Sequence, residues 1–260
     1  MQQTNVEFEI RDVTDVDLQG GTLIECFPST SSLALIIANI ILEAEGRPDE
    51  WKYDQVAIGD SRQLPSVCVV YYNKPKFPIR IYANAGAKIA LLASEIPQYP
   101  PITRDIGRKI FHWAKEKGIS RIVSIEGFLS DYKYGPSQLP MRVYGVGTTE
   151  NCRDELDSKQ IPPLNQGVIK GLSAVLLNEG WFNKSDVIVL LGEVRHHFPE
   201  IRTAARIIEV LNQLIPSLNI RIEPILAQAE KIEQSALLMR DQASAAIENE
   251  KTLSKDTTYI

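Results

Sequence analysis

The sequence predicts an α/β protein with a three-layer α/β/α core built on a mixed, mostly parallel sheet. The main observation is that short apolar segments of strand length alternate with amphipathic segments of helix length. Continuous apolar strands of this kind are typical of a sheet that helices cover on both faces. A hairpin expected from residues 66–72 and 79–82 adds antiparallel pairing, which makes the sheet mixed.

The first half of the chain predicts strands around a single apolar helix. Residues 6–10 alternate apolar and polar side chains, as in a half-buried strand, and residues 22–27 are richer in apolar side chains. The hydroxyl run Ser29–Ser32 precedes a helix at residues 33–43, because Ser and Thr favour helix N-caps. Further strands are expected at residues 55–58, 66–72, 79–82 and 88–93, the second and third as a hairpin across the turn 73–78.

The second half alternates helices and strands more regularly. A helix at residues 102–117 places Ile106, Ile110 and Trp113 on one face and ends at Gly118. Strands are expected at residues 121–125, 142–147 and 187–191, and helices at 150–159, 164–179 and 200–214.

Two glycines lie one turn apart within the helical pattern at residues 164–179. Gly167 and Gly171 would let that helix approach a neighbouring element closely. A phosphate-binding loop is the weaker interpretation, because no Lys-Ser/Thr pair follows the second glycine.

The chain changes in character after residue 222. We therefore divide it into an α/β core domain at residues 1–222, a helix at 223–250 for oligomerisation or spacing, and a flexible tail at 251–260. Small and apolar residues recur along the helix at alternating steps of four and three: Ile225, Ala229, Ile232, Ala236, Met239, Ala243 and Ala246. Such a heptad seam indicates close packing on another helix, either in a second subunit or in the same domain.

Composition excludes several functional classes. The 260 residues include 28 Lys and Arg against 33 Asp and Glu, a net charge of −5. Nucleic acids and anionic membranes bind clustered positive charge, so neither is an expected partner. No signal peptide or membrane span is recognisable, and we expect a cytoplasmic protein. Cys26, Cys68 and Cys152 are widely spaced, which predicts reduced, partly buried thiols, and the three histidines do not fit a metal-ligand spacing.

No complete catalytic motif is present, but two segments remain candidates for small-ligand chemistry. Backbone N–H groups and hydroxyls of Ser29–Ser32 could hold phosphate at a helix N-terminus, although a capping run is the simpler interpretation. The pair His196-His197 follows a predicted strand, near Glu193 and Arg195. It could support acid–base chemistry or lie in a solvated loop.

The tail ends in a dipeptide of a different character. Tyr259 offers a ring and a hydroxyl group, Ile260 offers an apolar side chain, and the terminal carboxylate offers a charge. Together they form a compact plug for a pocket with a cation at its base.

The order of several short motifs resembles the proteasome assembly chaperone 2 family, in particular its archaeal members. The matching pieces are Phe27-Pro28, the helix at residues 33–42, and the segments 122–127, 167–172, 190–192 and 199–211. The resemblance implies an α/β/α core similar to nucleoside phosphorylases, no established catalytic site and no cofactor. It also implies a homo-oligomer, a tetramer being one option, that gives ATP-independent help in building the 20S proteasome core. Family members usually continue the Phe-Pro segment with glycines, where this chain has Ser29–Ser32.

The resemblance also assigns a role to the tail. Some relatives and proteasome activators end in a hydrophobic residue, tyrosine and any residue, and this motif docks into pockets between neighbouring α-subunits of the proteasome ring. The corresponding residues here are Thr258, Tyr259 and Ile260, and Thr258 departs from the pattern because it is only partly apolar. The expected partners are therefore 20S α-subunits and further copies of this chain.

Two alternatives to this function stay open. One is a phosphorylase-like enzyme that binds phosphate through Ser29–Ser32. The other is a structural homo-oligomer whose tail has no partner.

Overall fold

The computed structural model describes residues 8–29, 31–43, 53–71, 73–129, 141–194, 200–232 and 234–235. Its strands are β1 (Phe8–Asp12), β2 (Thr22–Cys26), β3 (Asp54–Ser61), β4 (Val69–Tyr71), β5 (Lys74–Lys76), β6 (Ile79–Asn84), β7 (Ile89–Ser94), β8 (Arg121–Leu129), β9 (Val143–Gly147) and β10 (Asp186–Val194). Its helices are α1 (Leu33–Glu43), α2 (Pro100–Glu116), α3 (Glu150–Ser158), α4 (Gly171–Phe182) and α5 (Ile201–Leu214).

Eight strands form one mixed sheet in the order β1-β3-β6-β7-β2-β8-β10-β9. The central pairs β7–β2, β2–β8 and β8–β10 are parallel, and the pairs on either side are antiparallel. Because these directions propagate across the sheet, β2, β3, β7, β8 and β10 all run the same way. The mixed, mostly parallel sheet of an α/β fold is thereby confirmed.

Helices cover both faces of this sheet. Alternate strand residues point to opposite faces, so Ile24 and Val123 pack under α1, α3 and α5, whereas Leu23 and Ile122 pack under α2 and α4. All four side chains are fully buried or nearly so. The result is the predicted three-layer arrangement, with one hydrophobic core on each side of the sheet.

Helical residues continue after α5, at 223–232. Ile225 and Ala229, the first two residues of the predicted seam, are buried, and Ile225 packs in the core cluster that contains α1, α3 and α5. Ile232, the third, is 36% exposed. The seam therefore begins with packing inside the domain at Ile225, and its third residue is partly accessible. The division of the chain at residue 222 stays a prediction.

The predicted hairpin of residues 66–72 with 79–82 is wrong. β4 pairs instead with β5, which lies inside the segment expected to be a turn, and the two form a separate two-stranded sheet. β6 lies between β3 and β7 in the main sheet. The physical reason is burial: Ile79, Ile81 and Ala83 enter the core, whereas Val70 is 63% exposed.

The predicted start of α4 is also wrong. Val168 falls within the range predicted to be helical but is 83% exposed, and the helix begins at Gly171. Gly171 has a φ of 72°, a left-handed conformation that glycine adopts without steric cost. The two glycines therefore do not share a helix, and they do not provide the close helix contact that their spacing suggested.

Other elements agree closely with the sequence. α1 has the predicted bounds, whereas β8 and β10 extend several residues further than predicted. α2 begins two residues earlier, with prolines in its first turn, where their missing N–H groups are not needed. In the described ranges, no helix combines the length and apolar character needed to cross a membrane. Cys26 and Cys152 are buried free thiols, but Cys68 is exposed, contrary to the expectation of partial burial.

Candidate functional site

The predicted docking residues Thr258, Tyr259 and Ile260 lie outside the described residues. His196 and His197 lie outside them as well. The candidate that can be built from geometry is the Ser29–Ser32 run, of which all but Thr30 is described.

This run lies at the edge of the sheet where β2, β8 and β10 end, which we call the carboxyl edge. Ligand sites of open α/β sheets form at such an edge, outside the ends of parallel strands. Three of the segments that carry the family resemblance meet here: Phe27-Pro28 after β2, residues 122–127 in β8, and residues 167–172 at the start of α4. Gln98, which precedes α2, joins two of them, because its side chain contacts both Phe27 and Leu172.

Buried carboxyl and hydroxyl groups concentrate at this edge. We define the carboxyl–serine cluster as Glu25 of β2, Ser124 and Glu126 of β8, Ser173 of α4, and Ser29. Pairing of β2 with β8 places Glu25 opposite Ser124. Because alternate strand residues share a face, Glu126 lies on the same side as Ser124, and α4 brings Ser173 over both.

A continuous chain of oxygen contacts joins the two carboxyl groups. Ser124 Oγ lies 2.5 Å from Glu25 Oε2 and 2.8 Å from Ser173 Oγ. Ser173 Oγ lies 3.3 Å from Glu126 Oε2. The cluster therefore ties β2, β8 and the first turn of α4 together through side chains alone.

The second oxygen of each carboxyl group, Oε1, accepts hydrogen bonds from neighbouring residues at the same carboxyl edge. Glu25 Oε1 accepts the backbone N–H of Phe27 at 2.7 Å. Glu126 Oε1 accepts the backbone N–H of Gly127 at 3.2 Å and the hydroxyl of Ser29. Every one of these partners is electrically neutral.

Burial therefore controls the charge of the two carboxyl groups. Burial raises the pKa of Glu25 to about 8, against the lowering effect of its hydrogen bonds, and repulsion by Glu126 adds to the rise. Burial also raises the pKa of Glu126, although hydrogen bonds from Ser29, Gly127 and Ser173 oppose it. At neutral pH, Glu25 is consequently favoured in its protonated form.

The Ser29–Ser32 run is engaged by the protein itself. The Ser31 hydroxyl accepts the N–H of Leu33, the first residue of α1, at 3.3 Å, which satisfies one of the free donors at the helix N-terminus. The Ser32 N–H hydrogen-bonds to the carboxyl group of Glu200, and Ser29 donates to Glu126. A phosphate here would replace these bonds and approach two carboxyl groups, so the structure favours the capping interpretation.

The N-terminus of α4 is engaged in the same way. Gln98 Oε1 accepts the N–H of Leu172 at 2.8 Å, which satisfies one of the free donors of the first turn. The Gln98 side-chain amide also donates to the carbonyl oxygen of Phe27 at 3.5 Å, and its backbone N–H donates to Pro28 at 3.1 Å. Gln98 therefore fastens α4 to the segment that leaves β2.

A third buried glutamate lies further along the carboxyl edge, on β10. Glu193 contacts Arg142 Nε at 3.2 Å, and its backbone carbonyl accepts the hydroxyl of Thr203 at 2.6 Å. Unlike Glu25 and Glu126, it has a cationic partner. Its predicted neighbours, the histidine pair, are not described.

Chemically, the described residues of the carboxyl edge can hold and exchange a proton, and they do not form a nucleophilic or metal centre. Across the described part of the chain, no group of three or more His, Cys, Asp or Glu side chains could hold a metal ion. The hydroxyls of Ser124 and Ser173 are both committed to the contacts between the carboxyl groups.

A family model settles the relationship that the motifs suggested. The model of the PAC2 family matches residues 23–237, which run from the second residue of β2 to beyond the end of α5. The chain belongs to the PAC2 family. The region matched also includes the carboxyl–serine cluster.

Solved PAC2-type structures share the fold over nearly the whole chain. Pyrococcus furiosus PbaA, described as an archaeal homolog of proteasome-assembly chaperone, superposes with a TM-score of 0.78 at 26% identity, covering 96% of this chain and 99% of PbaA. Pyrococcus furiosus PbaB, described as an archaeal proteasome activator, gives a TM-score of 0.74 at 17% identity, over 91% of this chain and 99% of PbaB. At that identity the second likeness concerns the fold alone.

A curated relative is similar in sequence. Protein MJ0106 of Methanocaldococcus jannaschii, which is uncharacterized, is 29% identical over 168 residues. The match covers 65% of this chain and 66% of the relative, just under two thirds of the relative's length.

Sequence reasoning missed the buried carboxyl pair of this PAC2 protein. Glu25 and Glu126 are far apart in the chain, and only the pairing of β2 with β8 brings them together. A usable signal was nevertheless present, because each glutamate interrupts an apolar strand. A charged residue in such a strand is costly to bury, so it marks a special contact.

Proposed function

We propose that this PAC2 protein is a non-enzymatic, ATP-independent proteasome assembly chaperone or proteasome-binding factor. In this proposal it forms a homo-oligomer and docks Thr258, Tyr259 and Ile260 into pockets of the 20S α-subunit ring. The observation that carries it is the PAC2 match over residues 23–237, together with the likeness to PbaA over 96% of the chain.

The descriptions of two similar proteins support the choice of partner. PbaA is described as a homolog of proteasome-assembly chaperone, and PbaB as a proteasome activator. Both descriptions name the proteasome, and both proteins cover almost the whole of this chain. A proteasome-directed role is therefore the simplest function to carry over.

The state of the carboxyl edge supports a binding role over catalysis. The phosphorylase alternative requires an accessible phosphate site at Ser29–Ser32. Ser29 donates to Glu126, the Ser31 hydroxyl accepts the N–H of Leu33, and the Ser32 N–H bonds to Glu200. No observation of the site favours the enzyme, so we retain the proteasome function alone.

The seam of the C-terminal helix supports oligomerisation. Ile225 packs in the core of its own domain and Ala229 is buried, whereas Ile232 is 36% exposed. In the sequence the seam continues at Ala236 and Met239. A second copy that packs on Ile232 would cover apolar surface that this chain leaves exposed there.

Oligomerisation would compensate for a weak tail. Thr258 offers less apolar surface than the hydrophobic residue expected at its position. Once one tail of an oligomer is docked, further tails bind intramolecularly at a high effective concentration. Several modest contacts can then add up to stable association with a ring of identical subunits.

The test is co-purification of the chain with separately purified proteasome α-subunits. Full-length chain should be retained by the α-subunits, and a chain that lacks residues 258–260 should not be retained. The substitution Tyr259→Ala should weaken retention, because it removes the ring and hydroxyl from the docking motif. Thr257→Ala, just outside the motif, is the matched control and should bind like the unmodified chain.

The same experiment separates the alternatives. Equal retention of the full and truncated chains would contradict tail docking. No retention of either chain would favour the structural homo-oligomer. Phosphate that raises the thermal stability of the chain would instead support the phosphorylase alternative, because a ligand stabilises the state to which it binds.

A further inference from the structure

We propose that Glu25 and Glu126 share one proton at neutral pH and that this proton holds the first turn of α4 against the sheet. The two groups then act as a single titrating unit that couples the position of α4 to pH. This inference concerns the core domain and is independent of proteasome binding.

The first argument is the lack of a counterion. Both carboxyl groups are buried, with Glu25 only 1% exposed. Of the residues described, no cation contacts either of them, since their partners are hydroxyls and backbone N–H groups. Two adjacent buried carboxylates without a cation repel each other and lose their hydration, so one of them is expected to stay neutral.

The second argument is a count of protons. Three oxygen–oxygen contacts join Glu25 Oε2 to Glu126 Oε2, through Ser124 and Ser173. The two serines bring two hydroxyl protons. If both carboxyl groups are ionised, one of the three contacts has no proton and two oxygens face each other. A third proton, held by one of the carboxyl groups, fills every contact.

The remaining oxygens do not offer that proton another place. Oε1 of Glu25 accepts the N–H of Phe27, and Oε1 of Glu126 accepts the N–H of Gly127 and the hydroxyl of Ser29. These positions already have donors. The extra proton therefore belongs to the chain of contacts that runs through Ser173, which is the part that reaches α4.

Among the described residues, no cationic side chain hydrogen-bonds to the cluster. The nearby ion pairs are Glu193 with Arg142, Glu179 with Arg108, Arg121 with Glu155, and Glu95 with Arg80. Glu43 lies at the far end of α1, Lys170 before α4 is exposed, and Glu200 lies near Ser32. The thiol of Cys26 is buried, and its pKa is raised by burial and by Glu25. Glu126 is the group that adds repulsion to Glu25.

Loss of the shared proton would act on α4. It leaves two buried anions and one contact without a proton, and Ser173 lies in the first turn of a helix. Movement of that turn away from the sheet would admit water to the carboxylates. We therefore expect α4 to loosen at its N-terminus as the pair loses its proton, while the rest of the core keeps its packing.

The direct test is a pH titration of the glutamate carboxyl carbons by NMR, with Glu25→Gln and Glu126→Gln to assign the two signals. In the unmodified chain, one proton should remain on the pair at pH 7 and leave near pH 8. If both signals already show ionised carboxylates at pH 7, the proposal is wrong.

A second test uses stability. The folded chain holds a proton that the unfolded chain loses above the ordinary pKa of glutamate. Unfolding is therefore favoured by rising pH, with an unfolding constant that grows up to about tenfold for each pH unit between about pH 5 and 8. Glu25→Gln is neutral and similar in shape, so this contribution should disappear from the variant.

Glu193→Gln is the matched control, because Glu193 is a buried glutamate that has an arginine partner. Its unfolding constant should rise with pH as steeply as that of the unmodified chain, even if the variant is less stable at every pH. An identical slope in the unmodified chain and in Glu25→Gln would overturn the proposal. If Glu25→Gln does not fold, the NMR titration of the unmodified chain still decides.

The position of the effect can be read by hydrogen exchange. Amides in the first turns of α4 should lose protection above about pH 8, after correction for the intrinsic rate, relative to amides in the middle of α5. Equal changes in both helices would contradict a local link through Ser173.

Discussion

Two pairs of carboxyl groups at opposite edges of the central sheet have pKa shifts in opposite directions. At the carboxyl edge, Glu25 and Glu126 are buried among neutral partners, and burial raises the pKa of both. At the opposite edge, where the parallel strands begin, Asp12 and Asp17 are accessible and pair with Lys117 and Lys88. Burial alone would raise the pKa of Asp12, but hydrogen bonds from Lys117 and Trp113 outweigh it and lower the pKa.

The difference shows that the partner, and not the residue type, decides the charge. Asp17 has a lowered pKa because it accepts a hydrogen bond from Lys88. Glu25 has no such cation, and it stays protonated where a surface carboxyl group would ionise. Asp12 and Asp17 are therefore held by ion pairs near the surface, whereas Glu25 and Glu126 are held in the interior by hydrogen bonds from neutral donors.

The largest change in stability is expected from a substitution at Gly171, which begins α4 at the carboxyl edge. An alanine there must adopt a φ of 72°, and its Cβ would lie 2.2 Å from Gln98 Oε1. The conformational cost and the clash together should lower the free energy of unfolding by about 3 kcal/mol. Chemical denaturation of Gly171→Ala measures it.

Gly20, at the opposite edge, is the matched control for that substitution. It has a φ of 75°, but a Cβ there meets no atom within 4 Å. Gly20→Ala should therefore show the conformational cost alone, about 1–2 kcal/mol. Equal losses for the two variants would mean that Gln98 yields freely and does not fasten α4.

A smaller effect is expected from Ser173→Ala. The change removes the hydroxyl that links Ser124 to Glu126 and leaves buried polar atoms without a partner, which costs about 1–3 kcal/mol. Ser158→Ala, which removes an exposed hydroxyl at the end of α3, should change stability by less than about 0.5 kcal/mol. Similar values for both variants in urea denaturation would show that the cluster does not support α4.

The smallest change in stability is expected from a substitution of Asp12, at the opposite edge of the sheet, and it should disappear in acid. A lowered pKa means that Asp12 stabilises the fold when ionised, and this contribution is lost as the pH falls through that pKa. The group is accessible, so Asp12→Asn should lose less than about 1 kcal/mol at neutral pH. Its stability should approach that of the unmodified chain as the pH falls below the ordinary pKa of aspartate, about 3.9. A difference that stays constant through that acidic range would contradict the ion-pair origin.

The sequence was most informative where local patterns decide the structure. The bounds of α1 follow from an apolar run behind a run of hydroxyl residues, and the Ser31 hydroxyl does accept the N–H of Leu33, the first residue of the helix. The strands around β2 and β8 were found because buried parallel strands are continuous apolar segments. Such features depend on neighbours in the chain, which the sequence displays directly.

The errors arose where distant parts of the chain decide. β6 was assigned to a hairpin because its burial between β3 and β7 cannot be read locally. The prediction places Gly171 inside a helix because its positive φ, at the first residue of α4, has no sequence pattern of its own. The pairing of Glu25 with Glu126 depends in the same way on strand order.

The central functional claim, docking of the tail between α-subunits, is tested most directly by cryo-electron microscopy of the full chain bound to an α-subunit ring. The proposal predicts that side-chain density for Tyr259 and Ile260 occupies pockets between neighbouring α-subunits, with a helical segment leading to each. A complex in which these pockets are empty and the core domain alone contacts the ring would contradict it.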